Sequence, residues 1–244
     1  VYALDTGSGA VLTHRAEERF PITSTFKALA AAAVLRRAAG EPGLLDQRRR
    51  WTRAEVVDNS PVTAEHVADG MTVAQLCDAA ITRSDNTAGN QLLALIGGPP
   101  GVTAFARTLG DPVTRLDRWE TELNVVPPGE LRDTTTPAAM AANLRALVLG
   151  DALDPAGRTR LTGWLEANQT GGTRIRAGLP TGWRVGDKTG GGARGEVNDI
   201  AVVWPPGRSP LVLAVYTVPA DPASDQGGPT VAEAARLVVA ALPG

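Results

Sequence analysis

The sequence predicts an α+β fold: an antiparallel sheet built from both ends of the chain, flanked by helices, with an all-α lobe inserted between. Two observations carry this. Strand-like segments occur at the start and again late in the chain, and helical patterns fill the middle. At the start, Val1-Tyr2-Ala3-Leu4 and Val11-Leu12 flank the turn residues Asp5-Thr6-Gly7-Ser8-Gly9, which reads as a hairpin. An Ala/Leu-rich helix is expected from Ser24 to about Ala39. Further helices are expected at Thr72–Thr82, Thr87–Ile96, Val102–Leu109, Pro137–Leu149 and Pro155–Asn168. Strands return at Trp183–Lys188, Val197–Trp204 and Leu211–Val218, the last two joined by Pro205-Pro206-Gly207-Arg208. A closing apolar helix runs from about Thr230 to Leu242. The 244 residues then form a single domain, with an α/β lobe at 1–20 and 170–244 and a helical lobe at 21–169. The cleft between such lobes is where a site is expected.

Composition excludes several functions. A net charge of −2 removes the basis for general nucleic-acid binding. The longest apolar run, Ala28–Leu35, is too short to span a membrane. A lone cysteine, Cys77, rules out an intrachain disulfide and a thiolate metal cage. With only His14 and His66 besides, no metal and no cofactor are expected. The run Arg48-Arg49-Arg50 reads as a solvated loop face. Of 24 basic residues only Lys27 and Lys188 are lysine. Lysine differs from arginine in carrying a compact charge whose pKa can fall into the catalytic range.

Both lysines have chemically suggestive neighbours. In Ser24-Thr25-Phe26-Lys27 the hydroxyl and amine share one helix face, at an N-terminus whose free N–H groups favour a developing alkoxide. A serine can be activated this way without histidine. Lys188-Thr189-Gly190-Gly191 closes a predicted strand, where glycines let a substrate lie along the edge and the lysine and threonine can hold a carboxylate. Ser84-Asp85-Asn86 lies between two helices and, taken alone, suits a helix cap.

Taken together and in this order, the three motifs resemble those of the penicillin-recognising serine enzymes, and their spacing is similar to class A serine β-lactamases, including actinobacterial members. The similarity covers nearly the whole chain and includes Phe20-Pro21, Ser60-Pro61-Val62-Thr63, Asp69-Gly70-Met71-Thr72-Val73 and Asp199-Ile200-Ala201. Arg118-Trp119-Glu120-Thr121-Glu122-Leu123-Asn124 resembles the family's Ω-loop, in which Glu120 and Asn124 would grip a water beside the nucleophile. Glu122 is expected to be structural, and Arg118 with Asp133 matches the pair closing that loop.

The resemblance implies a β-lactamase/DD-peptidase-like fold and β-lactam hydrolysis through a serine acyl-enzyme, hence antibiotic resistance. It assigns attack to Ser24, with the N–H groups of Ser24 and Gly191 as oxyanion hole. Lys27 and Glu120 share proton transfer during acylation, and which is the base stays open. Ser84 relays a proton to the lactam nitrogen, and Glu120 activates the deacylating water. Asn86 binds the substrate's side-chain amide, and Lys188 and Thr189 bind its carboxylate beside Gly190. The implied partners are penicillins, cephalosporins and β-lactam-type inhibitors, with no nucleic acid and no membrane span. The resemblance further implies a secreted or periplasmic monomer.

Departures from the family pattern carry expectations too. Thr121 replaces a common proline, and the preceding peptide bond is expected to stay cis. Val197 stands where many members have arginine, and Arg174 is expected to supply that cation. Asn59 replaces a frequent rim aromatic, which weakens stacking. Cys77 faces Ala31 rather than a partner cysteine, so its thiol should be buried and inert. Thr23 and Gly192 replace the cysteine pair of disulfide-type carbapenemases, which argues against efficient carbapenem hydrolysis. Family members have a helix before the first strand, so the closing helix should lack a packing neighbour. Two other readings compete: a DD-peptidase or transpeptidase, disfavoured by Glu120 to Asn124, and a β-lactam sensor domain that acylates once, for which no output domain is visible.

Overall fold

The computed structural model describes residues 1–242. In chain order its strands are β1 (Tyr2–Asp5), β2 (Val11–Thr13), β3 (Phe20–Pro21), β4 (Arg48–Arg49), β5 (Met71–Thr72), β6 (Thr134–Thr135), β7 (Arg184–Gly191), β8 (Val197–Trp204) and β9 (Leu211–Tyr216). Its helices are α1 (Phe26–Gly40), α2 (Val73–Thr82), α3 (Asn86–Leu95), α4 (Pro99–Thr108), α5 (Pro137–Val148), α6 (Pro155–Glu166) and α7 (Gly227–Ala241). The main sheet runs β2-β1-β9-β8-β7 with every neighbouring pair antiparallel. Both chain ends therefore meet in one sheet, as predicted.

The central strands are apolar on both faces because both are covered. Ile200, Val202, Val212 and Ala214 join the core formed with α1 and α5, whereas Ala201, Val203, Leu211 and Leu213 pack with Val231 and Ala235 of α7. The β8–β9 turn uses Gly207 at φ 69°, a conformation glycine adopts freely. Every residue of α1 from Phe26 to Leu35 is buried. A helix stretch buried on all sides belongs inside a core, and the five alanines between Phe26 and Leu35 let neighbouring helices approach closely. α1 thus runs among α2 to α6, with its N-terminal end at the sheet. On α7, Val231, Ala235 and Val238 pack inward, while Leu237 remains 54% exposed beside an open groove shared with Val1 and Leu12. No helix among the described residues is long and apolar enough to cross a membrane.

Two expectations need correction. β7 extends past Lys188 to Gly191, pairing with β8 throughout, and begins at Arg184 rather than Trp183. Glycines carry no side-chain signal for a strand, so the ladder that holds Lys188-Thr189-Gly190-Gly191 straight was not legible. The arginine run is exposed at Arg48 and Arg50, as expected, but is a short strand rather than a loop: Arg48 pairs with Thr72 and Arg49 with Met71. Arg48 Nη1 donates to the carbonyls of Asp69 (3.2 Å) and Gly70 (2.8 Å), and Arg50 Nη1 to that of Ala68 (2.9 Å).

Candidate active site

Thr23-Ser24-Thr25 form a 3₁₀ turn that leads into α1, and Lys27 lies one turn on. Lys27 Nζ donates to Ser24 Oγ (2.8 Å), Asn86 Oδ1 (2.6 Å) and the Ser84 carbonyl (2.9 Å), and it pairs with Glu120 Oε1 at 2.9 Å. Ser24 Oγ in turn donates to Glu120 Oε1 at 3.3 Å. An ammonium has three N–H groups and here meets four acceptors, so two of the four must share a proton. Burial lowers the pKa of Lys27, against the raising influence of Glu120 and Asp85. The amine is therefore disposed to give up a proton.

Lys188 is also fully buried, and Nζ donates to Ser84 Oγ (3.0 Å) and the Thr189 carbonyl (2.8 Å). Burial, then repulsion from Lys27, lowers its pKa well below the ordinary lysine value. Ser84 connects the two lysines. With φ at 55° it turns its carbonyl to Lys27 and its hydroxyl to Lys188. Asp85 keeps the capping role its residue type suggested: its carboxylate accepts from Ala88 N (2.8 Å), Val62 N (2.9 Å), Thr63 N (2.9 Å) and Thr63 Oγ1 (2.7 Å). Asn86 can then start α3 and face Lys27, while its Nδ2 donates to the Asp58 carbonyl at 2.9 Å.

Glu120 arrives on the segment before α5, and the Glu120–Thr121 peptide is cis, as expected. Its Oε2 accepts from Asn124 Nδ2 at 2.6 Å, while Asn124 Oδ1 is buried without a protein partner. The loop is closed by Arg118 Nε on Asp133 Oδ2 (2.5 Å), with Asp133 Oδ1 accepting from the N–H groups of Asp117 (2.8 Å) and Arg118 (3.0 Å). Removing that carboxylate leaves the mostly buried Arg118 unpaired. Asp133→Ala is expected to cost ~3–5 kcal/mol, checked by denaturant unfolding and by proteolysis within 118–133; a loss below about 1 kcal/mol would contradict the role.

Comparison with known proteins bears directly on this arrangement. The family model described as "Beta-lactamase enzyme family" matches residues 1–242. The chain belongs to the β-lactamase enzyme family. This β-lactamase is 60% identical to β-lactamase FAR-1 of Nocardia farcinica over 242 residues, covering 99% of this chain and 77% of that protein. It is 50% identical to the carbapenem-hydrolyzing β-lactamase KPC of Klebsiella oxytoca, covering 99% of this chain and 83% of that one. A solved class A β-lactamase from Mycobacterium abscessus superposes with a TM-score of 0.96 at 55% identity, covering 98% of this chain and 92% of that one. The chain is thus a class A serine β-lactamase, a hydrolase of β-lactam antibiotics that confers resistance to them.

The structure gathers Ser24, Lys27, Ser84, Asn86, Glu120 and Asn124 around one point, with Lys188 joined through Ser84. Thr189 Oγ1 shares a 2.5 Å hydrogen bond with Thr170 Oγ1, and Gly190 and Gly191 continue the strand edge. Arg174 Nη1 donates to the carbonyls of Gly190 and Asn198, both at 2.7 Å, which holds the guanidinium against that edge. Glu122 is exposed, at the start of a 3₁₀ turn. Cys77 is buried and burial raises its thiol pKa, so the thiolate is disfavoured.

Sequence reasoning missed Asn90 in this β-lactamase. Its Oδ1 accepts from the Glu120 N–H (2.9 Å) and its Nδ2 donates to the Glu120 carbonyl (3.0 Å), clamping the main chain of the Ω-loop glutamate. The signal was available, since Asn90 lies one helical turn after Asn86 and so shares its face.

Proposed function

We propose that Ser24 is the nucleophile, and that its Oγ bonds to the β-lactam carbonyl carbon as the ring C–N bond breaks. Its proton passes to Lys27 or Glu120, and Ser84 supplies one to the departing nitrogen. The N–H groups of Ser24 and Gly191 receive the oxyanion, at ~3 kcal/mol per donor. Glu120 then takes a proton from a water held with Asn124. That oxygen attacks the ester carbon, and Ser24 leaves with a proton returned to it. Asn86 binds the substrate's side-chain amide, and Lys188 and Thr189, beside Gly190, bind its carboxylate.

The observation that supports this most is that Lys27 Nζ lies within hydrogen-bond reach of both Ser24 Oγ and Glu120 Oε1, while Glu120 also meets Asn124. We read the chain as one domain of two lobes that meet at this site, and as a monomer acting outside the cytoplasm on penicillins and cephalosporins rather than carbapenems. β-Lactam-type inhibitors should occupy the same pocket. Many-turnover hydrolysis of a chromogenic cephalosporin tests the reading; a burst of one equivalent that stalls would favour a peptidase or a sensor.

Arg174 supplements Lys188 in holding the carboxylate. Its Nη1 is used by main-chain carbonyls, so the rest of the guanidinium is what remains for substrate. Arg174→Ala is expected to raise the penicillin KM about tenfold and to slow capture by clavulanate. Unchanged values for both would remove Arg174 from the site.

A further inference from the structure

Thr23, directly before Ser24, has φ at 48°, in the left-handed region. Among the described non-glycine residues with positive φ (Arg15, Thr23, Asn59, Ser84 and Asp133) it alone is β-branched, the side-chain class least suited to that conformation. Something must hold it there. Asn198 of β8, fully buried, donates through Nδ2 to Thr23 Oγ1 and to the Pro21 carbonyl, both at 3.0 Å. Asn198 is itself fixed, because its Oδ1 accepts from Thr217 N at 3.1 Å. The Thr23 hydroxyl in turn donates a hydrogen bond to the Ile22 carbonyl at 2.8 Å.

β7 lies against the same turn. A Cβ at Gly190 would stand 1.9 Å from Thr23 Oγ1 and 3.3 Å from Ser24 N. The left-handed residue therefore lies between the strand that carries Gly191 and the turn that carries Ser24. A rotation at Thr23 would swing the Ser24 N–H and hydroxyl away from the Gly191 N–H.

We propose that Asn198 is a positioning residue for the nucleophile: by clamping Thr23 in the left-handed conformation it aims Ser24 at the point the Gly191 N–H also addresses. This rests on Ser24 being the nucleophile. Asn198 touches no reacting atom; it acts on Ser24 through Thr23 and the Pro21 carbonyl just before it.

The test uses three variants of the full chain, with kcat/KM for a penicillin measured per folded molecule. Asn198→Ala is expected to lose at least tenfold in kcat/KM. Thr23→Val removes only the hydroxyl that Asn198 holds, keeps the core packed, and is expected to lose at least fivefold. Thr23→Gly placed on Asn198→Ala is expected to recover at least threefold, because glycine takes this φ without a clamp. A merely structural asparagine would lower the Tm of Asn198→Ala while kcat/KM stayed within twofold, and the glycine would restore no rate; either result overturns the proposal, as does Thr23→Val within twofold of the parent. If Asn198→Ala does not fold, Thr23→Val decides alone. Ser24→Ala serves as control: turnover surviving there overturns the nucleophile assignment, whereas its loss with unchanged rates in the other variants overturns only the clamp.

Discussion

Lys27→Met is expected to lower the acylation rate by about 10³-fold. Methionine keeps the length and apolar stem of lysine but brings no proton donor to Ser24. It also leaves Glu120 buried without its cation, along with the Ser84 carbonyl and Asn86 Oδ1. A stability loss of ~3–5 kcal/mol should accompany the loss of rate. Arginine does not rescue the site. Gly89 already makes room for the lysine, since a Cβ there would stand 2.8 Å from Lys27 Cε, and a guanidinium needs more space than an ammonium. Rapid mixing with a chromogenic cephalosporin checks this, and acylation within tenfold of the parent enzyme would remove Lys27 from the proton path.

Glu120→Ala separates the two halves of the reaction. Acylation proceeds through Lys27, but no group remains to deprotonate the water, so deacylation is expected to fall by about 10³-fold or more. The variant should release one equivalent of product and then stall. A pH effect follows from the same pair. Glu120 raises the pKa of Lys27 against the lowering effect of burial, so without it the lysine pKa falls further. A base must be deprotonated to act, so the acid limb of acylation in Glu120→Ala should move to lower pH. An acid limb that stays in place would mean that Lys27 is not the group titrating there.

The two lysines show how much of this was legible. In a chain that almost always uses arginine, lysine occurs only at 27 and 188, and the structure puts both fully buried on either side of Ser84. Residue type and spacing marked Ser24 with Lys27 and Lys188 with Thr189, whereas Ser84, Asn86 and Glu120 entered only through the resemblance of the motif order to class A enzymes. The helices were legible for a similar reason: a caps-and-period pattern such as Thr72 before Val73–Thr82 is local. Long-range bonds were not. Asn198 meets Thr23 across 175 positions and carries no local mark of its partner; Asn90 meets Glu120 across 30, and its only sequence signal is the helix face it shares with Asn86. The extension of β7 through Gly190 and Gly191 was hidden because the ladder with β8, not any side chain, keeps those glycines extended. The arginine run is exposed at Arg48 and Arg50, as expected; what stayed hidden was its pairing with another segment and its carbonyl partners, Ala68 to Gly70, from another loop.

Intact-mass analysis of Glu120→Ala mixed with excess penicillin, followed by digestion and peptide mapping, tests the assignment of a Ser24 acyl-enzyme hydrolysed through Glu120 most directly. The expected result is one penicillin mass per chain, located on Ser24 and persisting long after the parent enzyme has returned to its unmodified mass. Unmodified protein with continuing hydrolysis, or an adduct on any other residue, would contradict the account.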